Sequence, residues 1–246
     1  MLIDRLMKVA LLGSEWVLYV LLALSVLSFA TMVERAVYFR RHRGDVEKLR
    51  AALRRELDQG RVEELERTLR EDGSVEARIV REAVLWLSGG PEAMADAVDA
   101  ELGRVRADLE RGTNLLGTLG NNAPFVGLFG TVLGVIIAFH SLGASGGNTQ
   151  AMGSVMAGIS EALVATGVGL FVALPAVVAY NWLQKKIGDV EADAGALVKL
   201  LSAYAKSDPE LVARARGIEG RRGAVLAPES GPRISAAEAA ASEGVG

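Results

Sequence analysis

The sequence predicts an all-α membrane protein, with three transmembrane helices and helical cytoplasmic extensions. Two observations carry this. Half of the 246 residues are hydrophobic while 23% are charged, and the two populations are segregated. Charges crowd into residues 34–111 and 185–222, whereas long windows elsewhere hold none. Those uncharged windows also reach the length of about 20 residues that a helix needs to cross a bilayer core. Composition narrows the chemistry further. A formal charge of −3 gives no reason to expect nucleic acid as a partner. The absence of cysteine excludes disulfides, thiolate metal sites and cysteine nucleophiles. His42 and His140 are the only imidazoles, so neither a histidine metal site nor any cofactor is expected.

Each element follows in chain order. Residues 1–12 place Ile3, Leu6, Val9 and Ala10 on one side, which suits a short helix lying on the outer membrane surface. A cleaved signal peptide is disfavoured, because the apolar stretch is long and its stronger positive charges come after it. The first span, 13–39, holds "WVLYVLLALSVLSFATMV", with Trp16, Tyr19, Tyr38 and Phe39 near its ends, where amphipathic rings favour the interface. Residues 40–116 read as a helical domain broken near Gly60, Gly73 and "SGGP". Its best helix, 92–111, repeats Met94, Val98, Leu102, Val105 and Leu109 at helical spacing. For Arg104, Arg106 and Arg111 a solvated face is favoured over a basic patch.

The uncharged window 112–160 is too long for one helix. Small and turn-forming residues divide it into a second span (117–142), an outer hairpin (143–154) and the start of a third span (155–184). Residues 185–206 form a further helix, in which Ile187, Val190, Ala194, Leu197, Leu201 and Tyr204 recur every 3.5 residues. That period predicts a seam against another helix, including one in a neighbouring subunit. The last segment, 207–246, is rich in Ala, Gly, Glu, Ser and Pro and reads mostly as a disordered tail. Arg35, Arg40, Arg41, Arg43, Lys185 and Lys186 follow spans one and three, while the hairpin is uncharged. The positive-inside rule therefore places residues 40–116 and the C-terminus in the cytoplasm, and the N-terminus and hairpin outside.

The second and third spans carry an unusual residue choice. "APFVGLFGTVLGVIIAF" (123–139) contains Gly127, Gly130 and Gly134, each costing a helix roughly 1 kcal/mol relative to alanine. In lipid such residues let helix backbones approach closely. The third span answers with Gly158, Ala162, Ala165, Gly169, Ala173 and Ala176. Tight packing alone would explain most of these positions. Thr131 and Thr166 fit either an ordinary role, bonding back to a carbonyl one turn earlier, or a polar path.

Glu161 tips the balance towards a path, since a carboxylate in hydrocarbon is costly and usually faces a bundle interior or watery cavity. An interfacial position, two turns past the hairpin, stays open. At 100° per residue, Glu161 and Thr166 stand about 140° apart on the helix. Pro175 predicts a kink, because it frees the Phe171 carbonyl, and Pro124 suits the first turn of the second span. No nucleophile–base pair, phosphate loop or metal cluster accompanies these residues, so no enzyme activity is expected. A path for a small cation, above all H⁺, fits better, with Na⁺ left open. A non-conducting oligomeric scaffold is the alternative.

"APFVGLFGTVLGVIIAF" and "GISEALVATGVGLFVALPAVVAYN" (158–181) resemble the two signature spans of the MotA/TolQ/ExbB proton-channel family. The order of charged domain, span, short outer hairpin and span is similar too. Three spans, rather than the four of flagellar stator proteins, favour the ExbB/TolQ branch. The resemblance implies the bacterial cytoplasmic (inner) membrane, with a periplasmic N-terminus and hairpin. It implies a homo-oligomeric, pentameric bundle whose central pore holds two helices of an ExbD/TolR-type single-span partner. It further implies proton flow that energises TonB-like transport, Tol-like envelope maintenance, gliding or secretion, with a TonB- or TolA-like transducer as a further partner. By the same resemblance Thr131 and Thr166 match the pore threonines and Glu161 the acid preceding the second of them. The essential membrane aspartate belongs to the partner.

Overall fold

The computed structural model describes residues 15–144 and 149–216, and every element among them is helical. They are α1 (Glu15–His42), α2 (Val46–Asp58), α3 (Val62–Asp72), α4 (Val75–Leu85), a 3₁₀ turn (Leu87–Gly89), α5 (Gly90–Glu110), α6 (Thr113–Ala144), α7 (Thr149–Ser207) and α8 (Pro209–Arg214). The surface helix expected over 1–12 and most of the expected tail lie outside the described residues. Three of the helices, α1, α6 and α7, contain windows long and apolar enough to cross a membrane.

The chain divides into two compact units. The first takes in residues 15–43 and 103–192. Its interior is built from Val17 and Leu21 of α1, Ala123 and Leu133 of α6, and Val172 and Ala173 of α7. Many of its bulky side chains point the other way: Phe29, Phe125, Phe139, Phe171, Leu174 and Val178 are all exposed. Small residues inside and bulky ones outside suit a lipid solvent, where helices gain nothing by hiding apolar area from one another and associate instead through close packing. At the other end of α1, Ser28, Thr31 and Arg35 form a buried polar stripe. Thr31 donates to the Leu27 carbonyl at 2.9 Å, and Arg35 donates to the Asp108 carbonyl at 3.3 Å. Arg106 donates to Glu110 at 2.8 Å and pairs with Glu191 at 3.4 Å, so this arginine is engaged by acids of its own unit.

The second unit takes in residues 44–102 and 193–216. Here the order is that of a water-soluble bundle, with Leu49, Leu53, Leu65, Leu69, Ile79, Val84, Leu197 and Leu201 buried. The helix ends have local causes. Asp45 caps α2 by accepting from the Lys48 amide, and Ser74 caps α4 by accepting from the Ala77 amide. Gly60 and Gly73 break the chain because each takes a left-handed φ, +63° and +65°, which side chains resist. Acids enter the interior only with partners. Glu66 accepts from Arg81 at 2.8 Å, Glu82 from the Trp86 indole at 2.9 Å, and Glu56 from both Arg55 and Arg61.

Several expectations need correction. Pro124 is not in a first turn: it lies inside α6, which begins at Thr113. The small-residue stripe simply continues upstream through Leu116, Leu119, Gly120 and Ala123, all buried, so the helix runs on to keep burying it. Most of the predicted hairpin 143–154 is also helical, since α6 ends at Ala144 and α7 starts at Thr149. The strongest turn residues, Gly146, Gly147 and Asn148, fall in 145–148, outside the described residues.

The third span and the helix after it are one 59-residue helix. Its buried stripe passes without a break from Ala176 through Leu183 and Ile187 to Val190. The 3.5-residue seam is buried within this chain, with Ile187, Val190, Ala194, Leu197 and Leu201 at most 2% exposed, so it needs no neighbouring subunit. The start of the expected tail is ordered too. Asp208 accepts from the Glu210 and Leu211 amides, Pro209 opens α8, and Leu211 is fully buried. A capped start and one apolar anchor outweigh the disorder-prone composition.

Candidate ion-path site

The facing stripes of α6 and α7 bring two backbones together. A Cβ built on Gly127 would stand 2.7 Å from the Ala165 carbonyl oxygen and 3.0 Å from the Thr166 Cα. One on Gly169 would stand 2.7 Å from the Ala123 carbonyl oxygen and 3.0 Å from the Gly127 Cα. Gly134 meets Ala162, Gly130 meets both Ala165 and Val17, and Gly158 meets Ala138. Ala162 and Ala173 are buried in the same seam. With no side chain between them, the helices approach to backbone contact, and any polar group at the edge of the seam is drawn towards the other helix.

Thr131 and Thr166 are that edge. Both are half-buried, and their hydroxyls hydrogen-bond each other across the seam. Thr131 Oγ1 also lies 3.3 Å from the Gly127 carbonyl and 3.2 Å from the Ala162 carbonyl. The first of these is the bond back along its own helix; the second crosses to α7. A hydroxyl has one proton and two lone pairs, so Thr131 donates to one of three oxygens at a time. When it donates to a carbonyl, Thr166 can donate to it; when it donates to Thr166, that hydroxyl must send its own proton elsewhere. The pair can therefore reverse its hydrogen-bond direction with no heavy atom moving, which is what a relay of protons through hydroxyls and water requires.

The other sequence-derived residues sit apart from the pair. Glu161 is exposed on α7 and does not join it. Around it α7 exposes Ala157, Ser160 and Val164, and Phe171 is exposed further along the same face. Pro175 lies inside α7 and is exposed; lacking an N–H, it cannot bond the Phe171 carbonyl. Among the described residues no group of three His, Asp or Glu side chains is placed to hold a metal ion.

Sequence reasoning missed the upstream end of the seam. A Cβ on Gly120 would stand 2.5 Å from a Val177 methyl and 3.2 Å from the Val177 backbone nitrogen, and one on Gly117 would stand 3.0 Å from the Tyr180 ring. The signal was present: Gly117, Gly120, Gly127, Gly130 and Gly134 follow one another at steps of three, seven, three and four residues, which keep to one helix face. The polar stripe Ser28, Thr31 and Arg35 was missed as well, although its 3 and 4 spacing marks one helix face.

Part of the sequence is shared with known proteins. The sequence profile of the MotA/TolQ/ExbB proton channel family matches residues 71–194, half of the chain. The Tol-Pal system protein TolQ of Haemophilus influenzae is 41% identical over 99 residues, covering 40% of this chain and 42% of that one. The biopolymer transport protein ExbB of Pseudomonas putida is 45% identical over 97 residues, covering 38% and 29%. ExbB of Helicobacter pylori strain J99 is 40% identical over 107 residues, covering 44% of this chain and 70% of that protein. The matched segment thus spans less than half of the first two relatives.

Proposed function

The chain belongs to the MotA/TolQ/ExbB proton channel family, and we propose that it is the channel-forming stator subunit of an inner-membrane motor of the ExbB/TolQ type. Copies of the chain assemble, five to a ring, around the spans of an ExbD/TolR-type single-span partner that brings a membrane aspartate. Proton flow through the assembly then energises an envelope process through a TonB- or TolA-like transducer. Residues 44–102 lie in the cytoplasm in this arrangement. The observation that supports the reading is the Thr131–Thr166 hydroxyl pair, held between two glycine-lined helices at the edge of their seam. Glu161, exposed on the single chain, lines the pore of the assembled ring and exchanges protons with it. The transported ion is H⁺, and no cofactor takes part.

The test replaces Thr131 and Thr166 together by valine. Valine keeps the shape, and removing both partners of a hydrogen bond at once leaves no buried group stranded, so the chain should accumulate and assemble normally. The expected result is loss of the force-dependent function in cells. Retained function at normal expression would instead favour the non-conducting scaffold, which needs the glycine seam but not the hydroxyls. That scaffold would fail with Gly134→Leu, which drives a large side chain into Ala162.

A further inference from the structure

The first turns of α6 carry a polar face on a helix long and apolar enough to cross a membrane. Asn114, Thr118, Asn121 and Asn122 are all exposed. At 100° per residue they fall within an arc of about 100°, roughly opposite the glycine seam. Thr118 donates to the Asn114 carbonyl at 2.9 Å, and Asn122 Nδ2 donates to the Thr118 carbonyl at 2.8 Å. The second of these bonds meets one of the two donors that a carboxamide carries. Further along the same face Phe125 is exposed, and the polar run ends there.

The first span fixes the depth of this face. A Cβ on Gly112 would stand 3.2 Å from a Thr31 methyl, and one on Gly130 would stand 3.0 Å from a Val17 methyl. The two helices are therefore antiparallel, and residues 114–122 lie level with α1 between Val17 and Thr31. From 22 to 30 every exposed residue of α1 is apolar: Leu22, Ala23, Val26, Leu27, Phe29 and Ala30. That is the surface lipid demands, because polar groups facing hydrocarbon find nothing to bond. At one depth α1 thus suits lipid and α6 does not. The polar face of α6 is also continuous with Arg111, exposed just before the helix begins, so it opens onto the charged, aqueous end of the span.

We propose that Asn114, Thr118, Asn121 and Asn122 line a water-filled vestibule that enters the assembled ring from the cytoplasm and ends at Phe125. It rests on the ring reading given above and adds an aqueous leg to the ion path. Bulk water reaches about 12 Å along α6, from Asn114 to Asn122. The stretch without it shrinks to the nine residues, about 13 Å of helix, between Asn122 and Thr131.

The chain has no cysteine, so a single introduced thiol reports its own surroundings. Inverted inner-membrane vesicles from the native host, carrying the full-length protein, are treated with a charged, membrane-impermeant methanethiosulfonate that reacts with thiolates. Asn121→Cys and Thr118→Cys should react within about 10-fold of Arg70→Cys, a position exposed on α3. Val26→Cys, at the same depth on α1, should react on the order of 100-fold more slowly, because hydrocarbon suppresses the thiolate. The size of the purified assembly reports whether each variant has folded. Rates at Asn121→Cys and Thr118→Cys as slow as at Val26→Cys would overturn the proposal, whether lipid or a neighbouring copy covers the face. So would equally fast reaction at Val26→Cys, the mark of a loosened bundle. The same rates are expected with Thr131→Val and Thr166→Val in place. Slow thiols would therefore sink the vestibule and spare the hydroxyl path, whereas retained function in the double valine variant would sink the path alone.

Discussion

At Gly127 a single methyl group decides whether two helices can touch. Its Cβ would lie 2.7 Å from the Ala165 carbonyl and 3.0 Å from the Thr166 Cα, and both obstacles are backbone, so no side chain can swing aside. Alanine in a helix interior ordinarily gains about 1 kcal/mol over glycine. Here overpacking of typically 1–3 kcal/mol outweighs that gain. Gly127→Ala should lower the midpoint of thermal unfolding in detergent and lengthen the Thr131–Thr166 contact. Gly103→Ala is the matched control: it is a helical position whose Cβ would meet nothing within 4 Å, so the same change should leave stability unchanged or raise it. If both variants melt alike, the seam is loose and the hydroxyl pair is not held by backbone contact.

The separate helices of the second unit depend on ion pairs that can be titrated. The Glu56 carboxylate is held below its ordinary value of 4.5, first by the hydrogen bond from Arg55 and also by Arg61, with burial opposing. A carboxylate whose folded value lies below its unfolded one adds stability that is complete above the unfolded value. That stability is lost as the pH falls through the folded value. Acidification below about pH 4.5 should therefore lower the unfolding temperature of this unit. Glu56→Gln should start lower at neutral pH and fall less steeply, and an unchanged slope would rule out Glu56 as a contributor. At this scale much was legible in the sequence. Gly60 and Gly73 were found as helix breaks because no other residue takes their φ so readily. The start at Asp208–Pro209 was missed because an Ala- and Gly-rich composition hid one capping carboxylate and one buried leucine. The helix boundary assigned to Pro124 was misplaced because proline marks a first turn only when nothing upstream needs the helix. Leu116, Leu119 and Gly120 do need it.

Taken whole, the chain presents a hydroxyl pair without a proton-binding group beside it. A threonine hydroxyl neither gains nor loses a proton near neutral pH, whereas a carboxylate can take one up and release it where its surroundings raise its proton affinity. Between Glu110 and Asp189 the sequence has one acid, Glu161, and it stands exposed on the single chain, away from the threonine pair. That arrangement explains why the three spans and the small-residue seam were readable from one sequence while the complete path was not. The path proposed above would draw on groups from other copies or from another protein, and no periodicity in this chain encodes them. A concrete consequence follows for reconstituted vesicles carrying an imposed pH gradient. The purified chain alone should pass protons no faster than protein-free vesicles. Co-assembly with a single-span partner bearing a membrane aspartate should produce a flux that Thr131→Val with Thr166→Val returns to background. Rapid flux from the chain alone, lost on Glu161→Gln, would instead put the proton-binding carboxylate in this subunit and remove the need for one supplied by a partner.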